Sequence, residues 1–322
     1  MSGFGRVRQE LKGKRMADGI KFKFSGHQTF VFRYGWLEKG VRGVEADGGI
    51  FAAEDAMVRL GVGKNMVESI RHWCQVAQLV EPDPDVPGRG GALRGTAIGL
   101  KLFGAKGWDR FMEDDATLWL LHWLLVTNPV IGTIWQLFFA RFTRPDFSRR
   151  EMMDYVMSFV MRESLKAKES VVGRDIDCFL RTYAALPRAK VLATPEETFA
   201  CPLLELNLIQ LSPDGELYRF GIGRKPTLCA AVFAYALREH FERARAGRNS
   251  MSIQECLYGE GSPGQVFKLD ENSLLEYVER LEEVTEGAVI LDETAGLKQI
   301  YRRREFDPFQ MLRAHYRGED RR

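Results

Sequence analysis

The sequence predicts a mainly α-helical chain whose β-structure is confined to small hairpins. Three observations predict it. Two short helical patterns are separated by Gly61-Val62-Gly63 and followed by a loop rich in proline and glycine. In the middle third, large apolar residues recur at helical spacing. The composition, 45% hydrophobic and 28% charged over 322 residues, is ordinary for a globular chain. That length suffices for two or three compact units, here 1–107, 108–211 and 212–322.

The first unit begins with a basic arm and continues into FSGHQTFVFRYGWLEKG, Phe24 to Gly40. The alternation of Phe30, Phe32 and Tyr34 predicts a short strand or extended arm leading into Gly35-Trp36. Good helix formers then run from about Ala52 to Leu60, where Gly61 can take the left-handed conformation that ends a helix. A second helix is expected from Lys64-Asn65 to about Ala77. On it Met66, Ile70, Trp73 and Ala77 form one apolar stripe, which should pack against the first helix. Lys64, Asn65, Glu68, Arg71, His72 and Gln75 lie opposite. After Val80, prolines and glycines from Pro82 to Gly91 form a loop, and Ala92 to Thr96 return from it. Helix, turn, helix and loop together predict a winged helix-turn-helix over about 50–103.

In that fold the second helix enters the major groove, where Lys and Arg donate to guanine and Asn and Gln pair with adenine. Lys64, Asn65, Arg71, His72 and Gln75 therefore become the expected DNA contacts. Arg89 and Arg94, at the tip and base of the wing, are placed to reach phosphates or the minor groove.

The second unit is predicted to be a helical core domain. Its apolar run from Thr117 to Ala140 is as long as a membrane span, but Asn128-Pro129 divides it. Each half is too short to cross about 30 Å of hydrocarbon, so the expectation is a buried helical hairpin with His122 as a hydrogen-bonded core residue. Glu113, Asp114 and Asp115 should begin its first helix.

The third unit starts near the turn Pro213-Asp214-Gly215 and continues through the helical pattern CAAVFAYALREHFERARAG. A second winged-helix-like pattern follows from Leu269 to Arg304. Asp270 or Asn272 caps its helix, and strands are expected at 288–291 and 299–301 around Asp292-Glu293.

The net charge is only +2, yet both ends are basic, while Glu255 to Glu293 carries eleven acids against Lys268 and Arg280. Such segregation suits one face on phosphates and another on a basic partner. The five scattered cysteines are expected to be free thiols. With no leader pattern, a reducing cytoplasm and no membrane partner are expected.

Catalytic signatures are sparse. No zinc motif, nucleophile elbow or dinucleotide fingerprint occurs, and GVGKN at 61–65 and GIGRK at 221–225 both lack the rest of a phosphate loop. No carboxylate cluster of the kind that holds Mg²⁺ can be recognised. Asp175 and Asp177 would not share a helix face, and Glu10-Leu11-Lys12 lacks an upstream aspartate. His27, between Gly26 and Gln28, is the candidate for chemistry, with loop orientation by hydrogen bonding as the alternative role.

FSGHQTF, RYGWLEKG, LGVGKNMVESIRHW and TLWLLHWLL, continued by RDIDCFLRTY, CPLLELNLI and ETAGLKQIYRR, resemble a bacterial family of domains of unknown function. The family is found in DNA phosphorothioation and phage-defence clusters and is similar to SspB-type nicking proteins. The resemblance covers nearly the whole chain. It implies a DNA-binding component that nicks one strand of double-stranded DNA with a divalent metal, Mg or Mn. It also implies sulfur-transfer or defence-complex proteins as partners. The residues themselves support binding better than cutting. They leave open a winged-helix transcription regulator, or a non-catalytic assembly protein whose middle unit serves a homodimer or a partner.

Overall fold

The computed structural model describes residues 22–86, 91–128, 132–185, 201–243, 248–294 and 296–319. It is mainly helical with small antiparallel sheets, as the sequence indicates. Residues 22–33 form neither helix nor strand and contain a tight turn at 27–29. Helix α1 (Trp36–Ala46), not anticipated, buries Trp36, Leu37, Val41 and Val44. A 3-10 turn (Ile50–Ala52) leads to α2 (Ala56–Leu60) and α3 (Lys64–Val76). The helix expected from Ala52 is therefore shorter, because Ala53 is extended at ψ 142°.

Strands β1 (Val80–Pro82) and β2 (Leu93–Gly95) form an antiparallel hairpin with Val80 opposite Gly95. Helix α4 (Ala97–Phe103) follows, capped by Thr96, whose hydroxyl accepts from the Gly99 N–H at 3.1 Å. The start of α4 rests on the end of α3. The Thr96 N–H donates to the Leu79 carbonyl at 2.9 Å, and Gly99 lies against that same carbonyl.

The long apolar run folds as expected into two buried helices. Asp114 caps α5 (Asp115–Val126), and α6 (Thr133–Gln136) runs on into a π-helical turn, Leu137–Arg141. Among the described residues no helix is long and apolar enough to cross a membrane. His122 donates from Nε2 to the Val266 carbonyl at 3.0 Å, and its Nδ1 lies 2.8 Å from the Tyr183 hydroxyl.

A strand β3 (Asp146–Ser148) then leads through a Ser148–Glu151 capping box into α7 (Arg149–Arg162). Helix α8 (Glu169–Tyr183), a 3-10 turn (Pro202–Leu206) and the hairpin β4 (Ile209–Leu211), β5 (Leu217–Phe220) complete this stretch. Its sheet order is β3-β5-β4. The middle of the chain is thus not helical alone, and the turn at Pro213-Asp214-Gly215 closes its hairpin.

Helix α9 (Ala230–Arg243) precedes β6 (Ser250–Ser252), α10 (Ile253–Tyr258), α11 (Pro263–Phe267) and α12 (Glu271–Val284), the last capped by Asp270. Strands β7 (Val289–Thr294) and β8 (Leu297–Arg302) and helix α13 (Pro308–Tyr316) follow. The sheet order β6-β8-β7 repeats the middle arrangement, a strand, then helices, then a hairpin whose second strand pairs back on the first. The hairpin turn lies beyond Thr294, later than expected. One hydrophobic core runs from Phe32 to Leu312 and is shared by all three stretches. The five cysteines are free.

Burial depresses His72 and His122 to about 3 and His240 to about 4, from 6.5. The unfolded chain therefore binds more protons than the folded one as pH falls below 6.5 toward these values. Stability should be lost across that window. The urea midpoint is expected to drop with acidification, and less steeply in His122→Phe, where one of the three proton uptakes is removed. Equal slopes would show that His122 does not contribute.

Candidate nucleic-acid interface

Gly61, at φ 63°, closes α2 and lets α3 start at a turn. Lys64, Asn65 and Glu68 are exposed on α3, and neither Lys64 nor Asn65 has a side-chain partner among the described residues. Arg71 and Gln75 are half-buried. Ile70, Trp73 and Ala77 are in the core as the stripe requires, with Met66 partly covered.

His72 is a correction. It was expected to face solvent but is only 7% exposed, and its Nε2 is buried without a partner. The cause is a second cover on α3. The stretch 22–33 lies across it, with the Ser69 hydroxyl donating to the His27 carbonyl at 3.0 Å and the Trp73 indole to the Phe30 carbonyl at 3.0 Å. Gly26 packs so closely on His72 that a Cβ there would meet Nδ1 at 2.5 Å. One apolar stripe on a helical wheel marks one buried side, whereas α3 is buried on two.

Arg94 is also engaged. It stands opposite Glu81 across the hairpin and donates to its carboxylate at 2.9 Å. Arg89 and the basic arm, including Glu10 to Lys12, lie outside the described residues.

His27 is 2% exposed and belongs to a knot of hydrogen bonds. Its Nε2–H donates to Asp175 Oδ1 at 2.9 Å, and its Nδ1 accepts from the Thr29 N–H at 3.0 Å. The Ser25 N–H donates to Asp175 Oδ2 at 2.8 Å. Around it the backbone is left-handed at Ser25 (φ 69°), Gly26 (118°), Gln28 (49°) and Thr29 (64°). Such conformations persist only where the surroundings impose them. Both ring nitrogens of His27 are engaged, so the ring holds its loop.

The loop is tied outward as well. Gln28 donates to Glu68 at 2.6 Å, and the Arg181 guanidinium donates to the Thr29 carbonyl. Arg181 and Ser69 escape notice in the sequence, and Asp175 figures there only beside Asp177, because their partner loop is distant in the chain. The available signal was the recurrence of Val172, Asp175, Ile176 and Phe179 on one buried face of α8. Asp177, as expected, faces elsewhere and pairs with Arg149 at 2.6 Å.

Carboxylates crowd near the start of α5. Asp109 accepts from the Glu113 and Asp114 amides and from Thr117, while Asp114 caps the helix and meets His315 at 3.2 Å. Among the described residues no group of three or more His, Cys, Asp or Glu could hold a metal ion.

Two solved structures resemble the whole arrangement. A magnesium ion-bound SspB structure aligns with a TM-score of 0.80 and 28% identity, over 92% of this chain and 87% of that one. A second SspB structure gives 0.79 and 27% over the same shares. No curated protein matches the sequence. The family model for a protein of unknown function, DUF4007, matches residues 24–316, and the chain belongs to that family.

Proposed function

We propose that the protein is the duplex-DNA-binding component of a bacterial DNA phosphorothioation and phage-defence system, working beside sulfur-transfer or defence-complex proteins. In this reading α2, α3 and the β1–β2 hairpin act as a winged helix-turn-helix. The observation that carries it is the 28% identity to SspB across 92% of the chain. Lys64 and Asn65 add chemistry to it. They stand unpaired among the described residues at the N-terminal end of α3, the end that a recognition helix presents to base edges. Lysine there donates to guanine or phosphate, and asparagine can bind adenine through two hydrogen bonds.

Fluorescence anisotropy with a labelled duplex over a salt series tests the proposal. Affinity is expected to fall steeply with salt. Lys64→Ala should weaken binding and lower the salt slope by about 1 if Lys64 meets a phosphate. Asn65→Ala should relax discrimination by about 1–3 kcal/mol at one base pair. Wild-type affinity in both variants would remove α3 from the interface.

The SspB structure carries magnesium. Among the described residues of this chain no group of three or more His, Cys, Asp or Glu could hold a metal ion. Supercoiled plasmid incubated with Mg²⁺ or Mn²⁺, beside an EDTA control, decides whether nicking accompanies binding. A simple regulator would leave the plasmid intact and select one operator. An assembly protein would bind no duplex.

A further inference from the structure

We propose that the loop Ser25–Thr29 is a binding site for a phosphodiester of the DNA backbone, made from main-chain amides and flanked by Lys23, Arg71, Arg174 and Arg181. The inference rests on the DNA-binding reading and deepens it, by placing a backbone contact away from α3.

The amides of Gly26, His27 and Gln28, three in succession, donate to no acceptor among the described residues. Their loop is left-handed on both sides of His27, and successive amides in such a turn form anion-binding concavities. His27 itself is 2% exposed, so its amide is poorly placed to be satisfied by bulk water. His72 packs against Gly26, and its buried Nε2 lacks a partner. Buried polar groups are normally paired, so the unmet amide of buried His27 calls for a ligand or water.

The surrounding charge selects an anion. Lys23 and Arg174 are exposed, Arg71 is half-buried, and none of the three forms an ion pair among the described residues. Arg174 and Arg181 are seven residues apart on α8, hence on one helix face, and the same helix delivers Asp175 to the loop. Two carboxylates are close, and both are occupied. Asp175 accepts from His27 and Ser25, and Glu68 accepts from Gln28.

The loop is also built before the ligand arrives. His27, Ser69, Trp73 and Asp175 fix it from below, so binding need not order it. The Gln28–Glu68 bond sets it beside the exposed side of α3, one helical turn from Lys64, where a single duplex can meet both.

Amide hydrogen exchange resolved by residue, on the full chain with and without a short duplex, tests the site. Exchange at Gly26, His27 and Gln28 is expected to slow when duplex is bound. The double variant Lys23→Ala, Arg174→Ala, both positions exposed, should bind several-fold more weakly on every sequence, with the salt slope reduced by about 1. Unchanged exchange at the three amides overturns the site. If Lys64→Ala still weakens binding in that case, the DNA reading stands without it. A wild-type chain that binds no duplex overturns both.

Discussion

Gly99→Ala is expected to destabilise the protein by about 3 kcal/mol, through overpacking that no side-chain motion can relieve. A Cβ on residue 99 would collide with the carbonyl oxygen of Leu79 and lie 2.8 Å and 2.9 Å from its carbonyl carbon and Cα. All three are main-chain atoms of a fully buried residue between α3 and β1. The same carbonyl accepts the Thr96 N–H, so moving it also weakens the cap of α4. Either α4 lifts away or the hairpin shifts against α3. Urea denaturation reads the loss directly, and a midpoint equal to wild type would mean that the contact relaxes freely.

Asp175→Ala is expected to cost about 3 kcal/mol, because it leaves the buried Nε2–H of His27 without an acceptor and takes from the exposed Ser25 the acceptor of its amide. Asp175→Asn should cost roughly half as much. Its amide oxygen can still accept from His27, while its NH₂ turns a second donor toward Ser25. The graded loss, alanine greater than asparagine, separates lost hydrogen bonds from lost volume. Exchange in the Ser25–Thr29 loop should rise in the same order. A loss below about 1 kcal/mol for alanine, an ordinary value for any substitution, would show that the knot does not hold the loop.

What could be read in the sequence was local. The bounds of α3, the left-handed Gly61, the acidic start of α5 at 113–115, a cap at Asp270 or Asn272 and the division of the apolar run near Asn128 each depend on residues a few positions apart. Helix α1 was hidden because Gly40 and Gly43 dilute its helical signal. The glycine at 40 is there for space, since a Cβ would collide with Cys74. The middle sheet was missed because strands such as Asp146–Ser148 are too short to show a two-residue period. His72 looked exposed because nothing near it in sequence announces the stretch that covers it. For the same reason the sequence marks His27 but not its pairing with Asp175.

The bond between His27 and Asp175 spans 148 residues of chain. A ribosome needs on the order of ten seconds to add that many. Until α8 emerges, the nascent N-terminus can form α3 but has nothing to latch its loop against. A fragment truncated before Glu169 would share that condition, carrying the helix without the anchored loop beside it. Completion of the surface therefore waits on the second half of the chain, a non-local closure of the kind that slows folding.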